Sequence, residues 1–470
     1  MEATLLNLVA KINGFLTDYV LIILLVGAGL WFTVKTRFVQ VRHFGEGMKK
    51  VFGNLSLKGG KNKSGLTSFQ ALATAIAAQV GTGNIVGASG AILVGGPGAI
   101  FWMWLIAFLG MATIYAEATL AQKTRVVDEN GDVHGGPVYY IKSVFKGGFG
   151  KFLSAFFAIA TVLALGFMGT MVQSNSIAES CNTAFGIPTW VVGLVIAAIC
   201  AFIFIGGIQR IASVTEKMVP IMAGLFLLGG IVVLIARIDT IPAIFGMIFK
   251  YAFTPSALIG GGIGAALKTA ISQGAKRGLF SNEAGMGSTP HAHAQANVEK
   301  PHDQGVVAMI GVFIDTFVVL TMTAMVVISC LYCKDGVLAG LSGADYQMVL
   351  ENGIVSKTNA MQMAASSVFG SFGNSFVAIC LLFFALSTII SWNFFGKLNV
   401  QYLCGKHAKT GVAIYSLIAI AFIFLGSILK NDLVWELTDF FNYLMVLPNI
   451  IALLALSKVV GECAKEGKKK

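Results

Sequence analysis

The chain has 470 residues, 56% of them hydrophobic and 12% charged, with a mean hydropathy of +0.79. A soluble domain carries roughly 45–50% apolar and about 25% charged residues, so a water-soluble core is excluded. The net charge of +11 does not mark a nucleic-acid binder, because the basic residues fall in short loops between apolar runs and form no stripe interleaved with aromatics.

Apolar runs near the ~20 residues that cross a bilayer recur at 19–36, 66–94, 97–122, 150–177, 188–207, 213–237, 261–285, 305–330, 372–397, 411–429 and 434–457. The first lacks a basic flank and a cleavage site, and is predicted to be a true span and not a signal peptide. With the N-terminus outside, the loops 35–65, 123–151, 207–217, 276–300 and 397–409 and the tail 458–470 are cytoplasmic and hold 26 of the 33 Lys and Arg. That asymmetry is what the positive-inside rule requires. The expectation is a single all-α polytopic domain of eleven spans, N-terminus out and C-terminus in. The seven cysteines are scattered, with only Cys330 and Cys333 close together, and predict neither disulfide nor metal.

Two spans are predicted to be broken. In the second, Gly81, Gly83 and Gly87 with Thr82 and Asn84 fall mid-membrane, where each Gly weakens a helix by up to ~1 kcal/mol. The seventh opens on Ala266 to Ile271, which repeats the A-L-x-T-A-I of Ala71 to Ile76, and then runs into Gly278 to Gly285. The two copies enter the membrane from opposite sides, and interrupted helices at matching points of inverted halves point to a transporter's midplane site. Glycine used for close helix packing is the plainer alternative.

Gly95 to Gly110, GGPGAIFWMWLIAFLG, and Gly278 to Gly287, GLFSNEAGMG, closely resemble the two signatures of the alanine or glycine:cation symporter family. The resemblance covers essentially the whole chain. It implies the leucine-transporter fold, with inverted five-helix repeats at 66–237 and 261–457 behind one extra helix at 19–36. It also implies sodium-driven import of alanine or glycine across a prokaryotic inner membrane, with no organic cofactor and no obligate protein partner.

The resemblance further implies the site. The substrate carboxylate belongs on the amides of Thr82, Gly83 and Asn84, where a helix start carries roughly half a positive charge. Sodium belongs among the carbonyls of Ala77, Val80 and Phe384 and the hydroxyls of Ser387 and Thr388. Trp392 and Phe280 are expected to wall the pocket around a methyl group. Gly169 and Gln173, four residues apart on one face, line it, and Asn175 is read as a helix-to-helix hydrogen bond.

Ionisable groups inside spans carry a functional suspicion. Glu117 and Asp315 are expected to be structural or gating residues, while Asn282 and Glu283 stay site candidates because they sit in a break. Each acid could also carry a proton, bind the substrate amine, or pair with Lys268, Lys276 or Arg277, and proton coupling is the alternative to sodium. His291, His293 and His302 lack zinc-like spacing and predict no metal centre. No filter-like ring argues for a channel, and neither Gly-x-Ser-x-Gly nor His-Glu-x-x-His argues for an enzyme.

Overall fold

In a bilayer no water reaches the backbone, so each apolar run must satisfy its own N–H and C=O groups as a helix. The structure is a computed structural model that describes residues 2–53, 65–129, 131–205, 207–429 and 431–466. Parts of the first predicted loop (54–64) and of the basic tail (467–470) therefore lie outside the described residues.

In chain order the principal helices are α1 (Thr4–Lys35), α2 (Phe44–Phe52), α3 (Ser68–Gln79), α4 (Gly83–Gly95) and α5 (Ala99–Thr124). Next come α6 (Gly147–Phe185), α7 (Thr189–Phe204), α8 (Gln209–Ala236), α9 (Ile241–Phe253), α10 (Ile263–Asn282) and α11 (Pro301–Tyr332). The chain ends with α12 (Phe372–Cys404), α13 (Ala408–Gly426), α14 (Asp432–Ala455) and α15 (Ser457–Glu466). Among the described residues, seven helical runs are long and apolar enough to cross a membrane, α12 and α13 counting as one run, and the bent pair α3–α4 makes an eighth.

Two helix ends differ from the predicted runs. The helix that holds the first expected span (19–36) already begins at Thr4 and runs through Asp18, which is paired 2.7 Å from Lys268 and accepts from Ser272 Oγ at 2.7 Å, both on α10. The second break begins later than Gly278. Residues 278–282 remain helical in α10, and the chain leaves the helix at Glu283 (φ 58°), followed by Gly285 (φ 92°) and Gly287 (φ 81°). Positive φ is what glycine supplies without steric cost. Gly278 sits in the helix beside Ile106 and Met103 of α5.

The GGPGAIFWMW signature works here as packing. A Cβ on Gly98 would lie 2.1 Å from backbone atoms of Tyr251 and Ala252 in α9. Trp102 Nε1 donates to the Ala252 carbonyl at 3.0 Å, and Trp104 Nε1 to Thr321 Oγ1 at 2.8 Å. All seven cysteines are free thiols. Helix α12 lies at the centre of the bundle, packed against α3, α6 and α8. Three π-helical stretches, Gly83–Gly87, Val162–Gly169 and Phe313–Leu320, meet the same region; such distortions free backbone groups and recur at functional sites.

Candidate substrate and cation site

Helix α3 begins with a capping box: Thr67 Oγ1 accepts from Gln70 N, and Gln70 Oε1 accepts from Thr67 N, both at 3.1 Å. It stops at Gln79, and Val80 (ψ 87°) turns its carbonyl out of the helical direction. The axis bends by 47° between α3 and α4. Within the bend Gly81 N donates to Asn84 Oδ1 (2.9 Å) and Asn84 N to the Gly81 carbonyl (3.2 Å). The glycines are required by crowding. A Cβ on Gly81 would lie 2.4 Å from Thr388 Oγ1, and one on Gly83 3.0 Å from Phe280 and 3.2 Å from Ser281.

Helix α12 brings its hydroxyls to the end of α3. Thr388 Oγ1 lies 2.9 Å from the Ala77 carbonyl, 3.3 Å from that of Ala78 and 3.1 Å from that of Phe384. Ser387 Oγ lies 2.8 Å from the Phe384 carbonyl and 3.3 Å from that of Ala77. Four of the five expected sodium ligands thus form one buried oxygen cluster, with Val80 on the turn beside it. The Ala78 carbonyl, outside the expected set, lies in the same cluster. An all-oxygen set of carbonyls and hydroxyls suits a hard cation.

Above the cluster, Gln173 from α6 reaches the break. Its Oε1 accepts from Thr82 N at 3.0 Å and from Thr82 Oγ1 at 2.6 Å. Its Nε2 is buried without a partner among the described residues. Trp392 and Phe280, the two expected wall residues, meet edge to face at 5.9 Å, and Phe280 also lies 4.8 Å from Trp435, which the sequence reading did not foresee. Gly169 is where it is because a Cβ would lie 2.5 Å from the Trp392 ring. Asn175 donates to the Gly426 and Leu429 carbonyls at 3.0 and 2.9 Å, away from the break.

The buried acids have separate surroundings. Asp315 accepts from Asn84 Nδ2 (2.6 Å), Ser281 Oγ (2.9 Å) and Thr316 Oγ1 (2.8 Å), which ties it directly to the first break. Glu283 accepts from Trp392 Nε1 at 2.5 Å and from Ser288 Oγ. Glu117 accepts from the Gly285 and Gly287 amides (3.2 and 3.0 Å) and from Asn449 Nδ2 (2.6 Å), so it holds the second break open. Asn282 is engaged locally: Oδ1 accepts from Ala284 N at 3.0 Å, Nδ2 donates to Thr316 at 3.3 Å, and its carbonyl accepts from Gln79 at 2.7 Å.

The suggested pairing of these acids with Lys268, Lys276 or Arg277 is not what the structure shows. Lys268 pairs with Asp18, Lys276 with Asp439 (2.8 Å) and Glu436 (3.1 Å), and Arg277 with Asp439 (3.1 Å), while its guanidinium stacks 4.5 Å over Trp435. These cations sit on the α10 face turned toward α1 and α14, where carboxylates meet them. His291 and His293 each have their own partners, Ser288 and Asn399 for the first and Gln304 for the second.

The family model described as the sodium:alanine symporter family matches residues 2–470. The chain is 40% identical over 456 residues to the sodium/alanine symporter AgcS of Methanococcus maripaludis, covering 97% of this chain and 95% of that one. It is 36% identical over 466 residues to the amino-acid carrier protein AlsT of Bacillus subtilis, covering 99% and 93%. Among solved structures, MhsT in complex with L-phenylalanine matches at a TM-score of 0.55 and 15% identity, over 86% of this chain and all of that one, a likeness of fold alone. These relatives are transporters and not enzymes, and with the family model matching residues 2–470 and AgcS aligned over 97% of the chain, the chain belongs to the sodium:alanine symporter family.

Proposed function

We propose that the protein is a sodium-coupled symporter that imports alanine, glycine or both by alternating access. One observation carries the reading: an opened helix at residues 80–83 meets Gln173 and the Ser387 and Thr388 hydroxyls at a single buried point. In this account there are eleven spans, one extra helix at 19–36 followed by inverted five-helix repeats at 66–237 and 261–457, in a prokaryotic plasma membrane, N-terminus out and C-terminus in. The repeated A-L-x-T-A-I opening, the basic-loop asymmetry and the fold likeness to MhsT support it.

Sodium is held by the carbonyls of Ala77, Val80 and Phe384 and the hydroxyls of Ser387 and Thr388. The two hydroxyls, which donate to the Ala77 and Phe384 carbonyls in the structure, turn their lone pairs to the ion when it enters. The substrate carboxylate takes the amides of Thr82, Gly83 and Asn84, displacing Gln173 Oε1, a neutral acceptor that already sits on Thr82, and drawing the Asn84 amide off its 3.2 Å bond to the Gly81 carbonyl. Turning over the Gln173 amide then aims its unpartnered Nε2 at the carboxylate. Gly169, Phe280 and Trp392 leave room for little beyond a methyl group, and Asn282 shapes the second break behind them.

Proton coupling is the second reading, because Asp315 is buried, touches the first break through Asn84, and has no cationic partner among the described residues. Calorimetry on purified protein separates them. Alanine should bind in sodium chloride and not in potassium chloride at fixed pH, while leucine and alaninamide stay weak in both. Equal alanine affinity in the two salts would overturn sodium coupling.

A further inference from the structure

The end of the bundle where α1 stops and α3 begins holds a cluster that the transport site does not use. His43 precedes α2, Glu46 lies in its first turn, and His302 lies in the first turn of α11. His43 Nδ1 is 2.8 Å from Glu46 Oε2, and His302 Nε2 is 3.4 Å from the same oxygen. All three donor atoms lie within 4.8 Å of one another. In a tetrahedral zinc site, bonds of roughly 2.0–2.2 Å to nitrogen and oxygen place neighbouring ligand atoms about 3.3 Å apart. His302 Nε2 already stands at that spacing from Glu46 Oε2, His43 Nδ1 must open outward from 2.8 Å, and the two imidazoles, within 4.8 Å of each other, must draw together.

The surroundings are those of a metal ligand set. Tyr115 Oη lies 2.7 Å from His302 Nδ1. With the proton on Nδ1 donated to the tyrosine oxygen, the Nε2 lone pair faces the cluster, the outer hydrogen bond that orients ligating histidines. Lys50 Nζ sits 3.7 Å from the other carboxylate oxygen, Glu46 Oε1, which leaves Oε2 to the imidazoles. The side chains of His302, His43 and Glu46 are 1%, 12% and 33% exposed, so the cluster is closed below and open on one side for entry and for a coordinated water. A plain His–Glu ion pair accounts for one imidazole. It does not account for a second, fully buried imidazole brought to the same oxygen by another helix.

We propose that His43, Glu46 and His302 bind a divalent transition-metal ion of the zinc or nickel type, two imidazoles and one carboxylate suiting such ions over calcium or magnesium. Bound metal ties α2 to the first turn of α11, the helix that carries Asp315 at its middle, and stiffens this end of the bundle.

The test uses tag-free, chelator-treated full-length protein in detergent without amino acid, titrated with zinc against a chromophoric chelator. One zinc per chain is expected, with a raised melting temperature. His43→Ala and Glu46→Gln, both at partly exposed positions, should each weaken binding at least tenfold and abolish the zinc-dependent shift in melting temperature. Tyr115→Phe should weaken it roughly tenfold, at the lower end of the 10–100-fold cost of losing an outer-shell partner. His407→Ala, at an exposed histidine elsewhere, should change nothing. X-ray absorption of the wild-type zinc form needs no variant and should show two imidazoles in the first shell. An oxygen-only shell, no saturable zinc binding, or binding unchanged by His43→Ala and Glu46→Gln would each overturn the proposal.

Discussion

Thr388→Ala isolates the cation cluster more cleanly than any other single change. The substitution removes one buried oxygen that lies within 3.3 Å of three carbonyls, those of Ala77, Ala78 and Phe384, and leaves the backbone ligands in place. Without sodium the loss is one set of neutral hydrogen bonds, about 1 kcal/mol of stability. With sodium it is one ligand to a charge, and interactions of that kind contribute roughly 1.5–3 kcal/mol. Since each 1.4 kcal/mol is tenfold in affinity, the sodium concentration for half-maximal alanine binding should rise about ten- to a hundredfold. Thr388→Ser keeps the hydroxyl and should stay within a few-fold of wild type. The assay is the alanine-binding isotherm of purified protein at a series of sodium concentrations, with melting temperature as the control for folding. A folded Thr388→Ala protein with unchanged sodium dependence would place the ion elsewhere and refute the reasoning.

Three further perturbations follow from the same geometry. Gly83→Val sets a branched Cβ against Phe280 and Ser281, an overpacking cost of about 1–3 kcal/mol, and should abolish alanine binding while sodium-dependent thermal stabilisation persists; alanine binding at wild-type affinity would contradict the carboxylate assignment. Trp392→Ala should admit longer aliphatic amino acids in a competition assay, at a stability cost of roughly 3–5 kcal/mol. Trp392→Phe keeps the ring wall and should keep the selectivity, so a folded Ala variant with unchanged preference removes Trp392 from the pocket. Glu117→Gln keeps the shape but weakens acceptance from two amides and Asn449. It should lower stability by about 2 kcal/mol, read as a drop in melting temperature; an unchanged melting temperature would mean the second break does not depend on it.

The first break was legible because Gly81, Gly83, Thr82 and Asn84 interrupt an otherwise apolar run, and no local arrangement hides such a pattern. The second was misplaced within its motif. Glycine alone does not say whether it serves packing, as Gly278 does beside α5, or positive φ, as Gly285 and Gly287 do. Ser387 and Thr388 look like ordinary hydroxyls of a membrane helix; their adjacency at the depth of the break marked them weakly, and the family resemblance is what raised them above the rest. What lies between distant segments stayed out of reach. Trp435 against Phe280, Asp439 against Lys276 and Arg277, and Asp18 against Lys268 depend on which helix faces join. His43, Glu46 and His302 fail every spacing rule, because the chain between Glu46 and His302 must cross the bundle before they meet.

Uptake by a single imposed gradient tests the central claim most directly. Protein reconstituted into potassium-loaded liposomes should accumulate labelled alanine when sodium is present outside at equal pH, and should fail to do so when an inward proton gradient is imposed without sodium. Accumulation driven by protons alone, with no added effect of sodium, would contradict the account.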